Sequence, residues 1–268
     1  MSLFYNYKNI KVHYTSTGKG SAIILLHGFL ENIKMWDEII PELSKKNRVI
    51  AIDLFGHGKT ENLGYVHTMD DQALMIRALL KDLNLRKVTL IGHSMGGYIA
   101  LSFADLFPKN SKGICLLNST AYADTDEKKK NRDRVIIAVK QNYKTFIRIS
   151  IPLLFSEANR DLLKKEIKTT ITEALNTSKQ GVIASLEGMK VRDDKTHVLQ
   201  NENIKKLLIL GENDPVLNFN THIKQIKNTN TKWHKLSDGH MSHIERTVDV
   251  ISNLKSFAKF DVRFNPKN

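Results

Sequence analysis

Short apolar runs separated by stretches of helical spacing fill the first 118 residues, and no other feature restricts the fold as much. The runs at residues 22–27, 49–53, 87–92 and 113–118 are continuous and β-branched. They are too short for helices and lack the alternation of a half-exposed strand, the pattern of strands covered on both faces. Between them, Met35, Trp36, Ile39, Ile40 and Leu43 share one helical face behind Asn32 as N-cap. Ile76, Leu79, Leu80 and Leu83 share another, entered through Thr68, and residues 95–107 form a third helix stopped by Pro108. The alternation predicts an α/β fold: a mostly parallel central sheet of about eight strands with helices on both faces.

The alternation stops at Ser119 and resumes near residue 204. In between, helical spacing joins Val135, Val139, Tyr143 and Phe146, then Leu163, Ile167, Ile171 and Ala174, then Val182, Leu186 and Met189. Pro152 and Gly181 punctuate this stretch. Residues 1–118 and 204–268 are therefore expected to form one core, with residues 119–203 as a helical insertion. Beyond it, residues 206–210 and 231–236 read as strands flanking a helix over 219–226. A last helix presents Ile244, Val248, Ile251, Leu254 and Ala258 on one face, and residues 4–7 and 10–14 suggest a hairpin at the sheet edge.

Composition narrows the class. With 41% hydrophobic and 26% charged residues, the chain is globular rather than disordered. A single cysteine, Cys115, excludes an intrachain disulfide framework and a thiolate metal cluster. No apolar run approaches the roughly 18 residues of a membrane span. The first eight residues lack the apolar stretch of a signal peptide, so a cytoplasmic location without a membrane partner is expected. The net charge is +13, but residues 119–200 hold 16 Lys and Arg against 11 Asp and Glu, only +5 of that total. Spread in this way, without a basic stripe or interleaved aromatics, the excess reads as a lysine-coated surface. No nucleic-acid partner is expected, only a mild preference for anionic ligands.

The chemistry concentrates at Gly92-His93-Ser94-Met95-Gly96, a G-x-S-x-G pentapeptide between a strand and a helix. A serine on such a turn projects from the sheet, flanking glycines remove Cβ atoms that would collide, and the next N–H opens a helix. A serine hydroxyl is a weak nucleophile until a neighbouring base takes its proton. Near the C-terminus, His240 and His243 compete for that task. Ser242 and Glu245 have capping-box spacing, which puts His243 in a helical turn and leaves His240 in the preceding loop. A metal reading of the two histidines lacks a third ligand at matching spacing. Asp214 and Glu212, after the strand at 206–210, are the candidate acids.

In these residues the chain resembles the α/β-hydrolase superfamily, in its serine-nucleophile, lidded, esterase-like branch. The resemblance extends over nearly all the chain outside the insertion. His27-Gly28-Phe29 is similar to the family's H-G-x segment, and Asp53-Leu54-Phe55-Gly56-His57-Gly58-Lys59-Thr60 to its D-x-x-G-x-G-x-S segment, with Thr60 in place of serine. The resemblance implies Ser94 as nucleophile, His240 as base, Asp214 as orienting acid, and the Phe29 and Met95 N–H groups as oxyanion hole. It also implies that the insertion is a lid whose Tyr122, Tyr143, Phe146 and Phe155 line a pocket or merely pack. Trp36 belongs either to the active-site floor or to the core. The expected activity is hydrolysis of a small-molecule carboxylic ester or thioester through an acyl-enzyme, without cofactor or metal. Relatives with an aspartate nucleophile are excluded by Ser94. A related menaquinone-pathway lyase usually has arginine where Tyr98 stands. A ligand-binding signal receptor of the same fold and a carbon–carbon bond hydrolase or lyase remain the alternatives, and the oligomeric state stays open.

Overall fold

The computed structural model describes residues 2–259. Eight strands form one sheet: β1 Ser2–Tyr7, β2 Ile10–Thr17, β3 Ser21–Leu26, β4 Asn47–Ile52, β5 Val88–His93, β6 Ser111–Leu117, β7 Lys205–Gly211 and β8 Lys232–Leu236. Their spatial order is β1-β2-β4-β3-β5-β6-β7-β8. The opening hairpin turns through Lys8 and Asn9, both at positive φ as a two-residue hairpin loop requires. β2 also runs antiparallel to β4, and every later pairing is parallel.

Period-two geometry sorts the continuous apolar strands onto two faces. Ile24, Leu26, Leu90, Ile114, Leu116, Leu208 and Leu210 point to one side, where α2 (Met69–Asp82) and α3 (Met95–Leu106) cover them. Ile23, Leu25, Ile91, Cys115, Leu117, Leu207 and Ile209 point to the other, against Trp36, Ile39 and Leu43. That face is closed by α1 (Ile40–Ser44) and the C-terminal α10 (Thr247–Lys259). Trp36 is fully buried here, a core anchor.

Between β6 and β7 the described residues are helical: α4 Asp126–Ser150, kinked at Asn142, then α5 Lys164–Ala174, α6 Lys179–Lys190 and α7 Thr196–Leu199. Of the aromatics expected there, Phe155 is fully buried in the core, and the Tyr143 hydroxyl donates to the Ala174 and Thr177 carbonyls. Those two side chains pack and anchor. Gly181 does not break the segment. It lies inside α6, where a Cβ would run into the backbone of Gly56.

Three local expectations are corrected. The face around Met35 divides into a single 3₁₀ turn, Ile33–Trp36, capped by Asn32, and the separate α1, because Pro41 has no N–H to continue a ladder and instead opens a new helix. The last helix divides as well, into α9 (Ser242–Glu245) and α10, with Arg246 non-helical between them. That break resets the phase, so Val248 is 80% exposed while Val250, Leu254 and Phe257 are buried. The Ser242–Glu245 capping box does not form. Met241 is the N-cap, Ser242 Oγ donates to the Gly239 carbonyl, and Glu245 accepts from the N–H groups of Gly239 and Ser156. Short α8 (Phe219–His222) continues as a 3₁₀ turn to Ile226 before β8.

Candidate active site

Ser94 sits at the junction of β5 and α3 with φ 47° and ψ −113°, a strained region for a residue with a side chain. The surroundings hold it there. Its N–H donates to the Leu117 carbonyl at 3.0 Å, and its carbonyl accepts from Ser119 Oγ at 2.7 Å. A Cβ on Gly92 would strike the Gly96 backbone, and one on Gly96 would strike the carbonyls of Leu26 and His27. The glycines therefore press the start of α3 against the end of β3, next to Phe29. Met95, as the first residue of α3, has no intrahelical acceptor for its N–H.

Of the predicted residues, the structure brings Ser94, His240 and Asp214 into one hydrogen-bonded chain. Ser94 Oγ lies 2.9 Å from His240 Nε2, and His240 Nδ1 lies 2.8 Å from Asp214 Oδ2. A carboxylate only accepts, so Nδ1 carries the proton and Nε2 is free to accept from the serine. The Val216 and Leu217 N–H groups donate to Asp214 Oδ1 at 2.8 and 3.0 Å, and Asn118 Nδ2 donates to Oδ2 at 3.1 Å. Burial alone would raise the Asp214 carboxyl. The facing His240 and these donors outweigh it and hold the carboxyl below the usual range. Glu212 is exposed and pairs with Lys235 at 2.8 Å.

The His240 loop is fixed by the helical segment as well as by the core. The His240 N–H donates to the Leu154 carbonyl at 2.9 Å, and Asn159 Nδ2 reaches Asp238 and Glu245 at 2.9 and 2.8 Å. On the β3 side, His27 Nδ1 donates to the Gly28 carbonyl at 2.7 Å and its Nε2 accepts the Leu54 N–H at 2.9 Å. His57 is held similarly, donating to the Phe55 carbonyl and accepting from the Leu30 N–H. Both are neutral turn braces on either side of Phe29. Gly56 and Gly58 shape the Asp53 loop at positive φ, and Thr60 donates to the Asp53 carbonyl, which makes that loop structural.

Sequence patterns did not mark Asn118, Glu31 or His93. Asn118, at φ 44°, bridges Asp214 and the Gly239 carbonyl; its only sequence signal is a polar residue ending a buried strand. Glu31 and His93 lie 2.7 Å apart, both buried, directly behind the serine turn. Burial would raise the Glu31 carboxyl, but His93 and His243 reverse this and hold it at about 2. His93 moves up, because Glu31 outweighs the burial that would lower it, whereas burial takes His243 down to about 3. The three side chains offer ligand atoms within 4.8 Å of one another. The 2.7 Å contact between His93 Nδ1 and Glu31 Oε2 is nonetheless a direct hydrogen bond. Two ligands of a tetrahedral zinc stand about 3.3 Å apart, so a proton rather than an ion fits between these atoms.

A thermophilic esterase from Thermogutta terrifontis superposes with a TM-score of 0.86 at 27% identity, over 96% of this chain and 97% of that one. A Bacillus subtilis protein, provisionally named 2-succinyl-6-hydroxy-2,4-cyclohexadiene-1-carboxylate synthase, is 31% identical over 208 residues, 72% of this chain and 73% of that one. An uncharacterized Mycobacterium tuberculosis protein is 38% identical over 102 residues, 38% of this chain, and the match spans only 30% of that relative's length. No helix among the described residues is long and apolar enough to cross a membrane. The family model for the alpha/beta hydrolase fold matches residues 21–247, and with the sheet order and serine turn described above, the chain belongs to the alpha/beta hydrolase fold family.

Proposed function

We propose that this protein is a serine hydrolase that cleaves a small carboxylic ester or thioester through an acyl-enzyme. The observation that supports this most is the unbroken path Ser94 Oγ–His240–Asp214, with the serine strained and the histidine in the tautomer a base needs. Ser94 attacks the carbonyl carbon as its proton passes to His240 Nε2. Asp214 stabilises the resulting imidazolium and fixes its orientation. The carbonyl oxygen, now an oxyanion, is received by the N–H groups of Phe29 and Met95, aimed where charge develops. His240 then protonates the departing alcohol or thiol, and a water deprotonated by the same nitrogen releases the acid. No metal or cofactor enters the scheme.

In this reading residues 119–203 cap the site, and Tyr122 and Phe146, both half-buried, are the aromatics there best able to meet an acyl chain. A carbon–carbon bond reaction is the second reading, supported by a Metapseudomonas resinovorans relative, 32% identical over 120 residues, that is named 2-hydroxy-6-oxo-6-(2'-aminophenyl)hexa-2,4-dienoic acid hydrolase. This second reaction uses the same serine and base. A fluorophosphonate tests the nucleophile: labelling at Ser94 is expected in the intact protein and is lost in Ser94→Ala, with multiple turnovers on a p-nitrophenyl or acyl-thioester series of graded length. Labelling without turnover on any ester, thioester or vinylogous diketone removes both enzyme readings and leaves a ligand receptor. Turnover of a vinylogous diketone in preference to every ester selects the second.

A further inference from the structure

We infer that Glu31 and His93 are positioning residues, a buried charge pair that joins the oxyanion side of the site to the loop of the catalytic histidine. The inference rests on the hydrolase reading above and extends it to two side chains outside the triad. His93 Nε2 faces the His240 carbonyl at 2.9 Å, an atom that only accepts, so Nε2 carries a proton. His93 Nδ1 meets Glu31 Oε2 at 2.7 Å, and that same oxygen accepts the Gly28 N–H at 2.7 Å. One oxygen thus serves two donors, which suits a carboxylate facing an imidazolium.

The consequence is mechanical. Gly28 directly precedes Phe29, and His240 is the base, yet the two lie 212 positions apart in sequence. The pair links them through three bonds, Gly28 N–H to Glu31, Glu31 to His93, and His93 to the His240 carbonyl. A Cβ on residue 28 would fall on both Glu31 Oε2 and His93 Nδ1, at 2.5 and 2.7 Å, so only glycine leaves room for the link. The groups facing it are consistent with a single shared charge. The His243 ring lies 4.9 Å and the His240 ring 5.1 Å from His93 between centroids. Among the described residues, Glu31 is the one carboxylate hydrogen-bonded to His93.

No neutral replacement at 31 satisfies this arrangement. A glutamine that turns its oxygen to Gly28 leaves His93 charged without a counter-ion. One that turns its nitrogen to His93 sets that nitrogen against the Gly28 N–H. Either way the oxyanion strand or the base loop shifts, and a displacement of about 1 Å costs on the order of 10²-fold in rate.

The test compares intact protein, Glu31→Gln and the double variant Glu31→Gln/His93→Gln. Active sites are counted by fluorophosphonate, and melting temperature, kcat and KM are measured on one ester. The single variant loses on the order of 10²-fold in kcat with KM within about twofold. The double variant, freed of the unpaired charge, regains melting temperature but not kcat. A double variant that recovers kcat together with stability overturns the inference, because the pair then acts through folding alone. Histidine ¹⁵N spectra of the unaltered protein supply a reading independent of mutation: both His93 ring nitrogens should be protonated at about pH 7. A single protonated nitrogen refutes the charge pair, as does stoichiometric zinc bound by the protein from zinc alone. Intact protein that neither labels nor turns over defeats the hydrolase reading itself, a result distinct from a fully active double variant.

Discussion

Acidification should destabilise this fold well before its carboxylates are protonated. His57, His67 and His243 are buried, and burial lowers them to about 3, 4 and 3. For His57 the reason is visible in the bonds: one ring nitrogen donates to the Phe55 carbonyl and the other accepts the Leu30 N–H, so a second proton would face a donor. The unfolded chain, whose histidines titrate near about 6.5, takes up protons that the folded chain refuses. Stability therefore falls as pH drops below about 6.5 and levels off only near the folded values. At about pH 5 the solution is about 1.5 pH units more acidic than the unfolded value of each site, a cost of about 2 kcal/mol per site, so the three together remove roughly 6 kcal/mol. That is comparable with the whole stability of an ordinary domain, about 5–15 kcal/mol. Glu31 and Asp214 have lowered values, so their contribution is kept at this pH and is lost only as pH falls through their folded values. His93, which is raised, contributes fully below its unfolded value and loses that contribution only as pH rises through its folded one. Urea titrations at about pH 7 and pH 5 measure the difference, with equal slopes as the check on two-state unfolding. His243→Gln, whatever it does at neutral pH, should shrink the loss by about 2 kcal/mol. Equal free energies of unfolding at the two pH values would refute the reasoning.

Asp214→Asn should leave the fold intact and lower kcat on the order of 10⁴-fold, as in serine-protease triads, whereas Glu212→Gln should match the unaltered protein in the same ester assay. Asn118→Ala removes a donor to the Asp214 carboxylate. A hydrogen bond to a charged group contributes about 1.5–3 kcal/mol, so kcat should fall roughly 10–100-fold, with circular dichroism unchanged. Gly181→Ala places a methyl against the Gly56 backbone and should cost about 1–3 kcal/mol in a urea titration, although alanine is the better helix former.

The fold was largely legible because its signals are local. Continuous β-branched runs, a glycine-flanked serine and loops carrying Asp214 and His240 each reveal themselves within about ten residues. What stayed hidden depends on partners far along the chain. Glu31 reads as an ordinary acid at a helix start, and only its pairing with His93, 62 positions away, gives it a role. Glu245 has the spacing of a capping box, but Ser156 and Gly239 claim its carboxylate. The spacing of Ile244, Val248 and Ile251 predicts one continuous helical face, whereas a single non-helical residue, Arg246, rotates everything after it, and nothing in the local sequence forces that break.

The helical segment is attached along its two edges by different kinds of contact, which gives it an uneven response to ionic strength. Along α6, Gly181 and Gly188 bring their backbone against that of Gly56 and His67, and the His67 N–H donates to the Ala184 carbonyl at 2.9 Å. Contacts of that kind are short-ranged and indifferent to dissolved ions. Along α5 the attachment is Glu173, bound to Lys34 at 2.9 Å and Asn32 at 3.2 Å, with the lysine side chain 62% exposed. Raising salt from about 0.1 to 1 M shortens the screening length from about 10 to 3 Å and weakens that exposed pair selectively. Amide exchange in α5 should therefore quicken with salt while α6 holds its protection, making α6 the hinge and α5 the free edge. Equal loosening of both helices would show that the glycine contacts hold no more firmly than the ion pair.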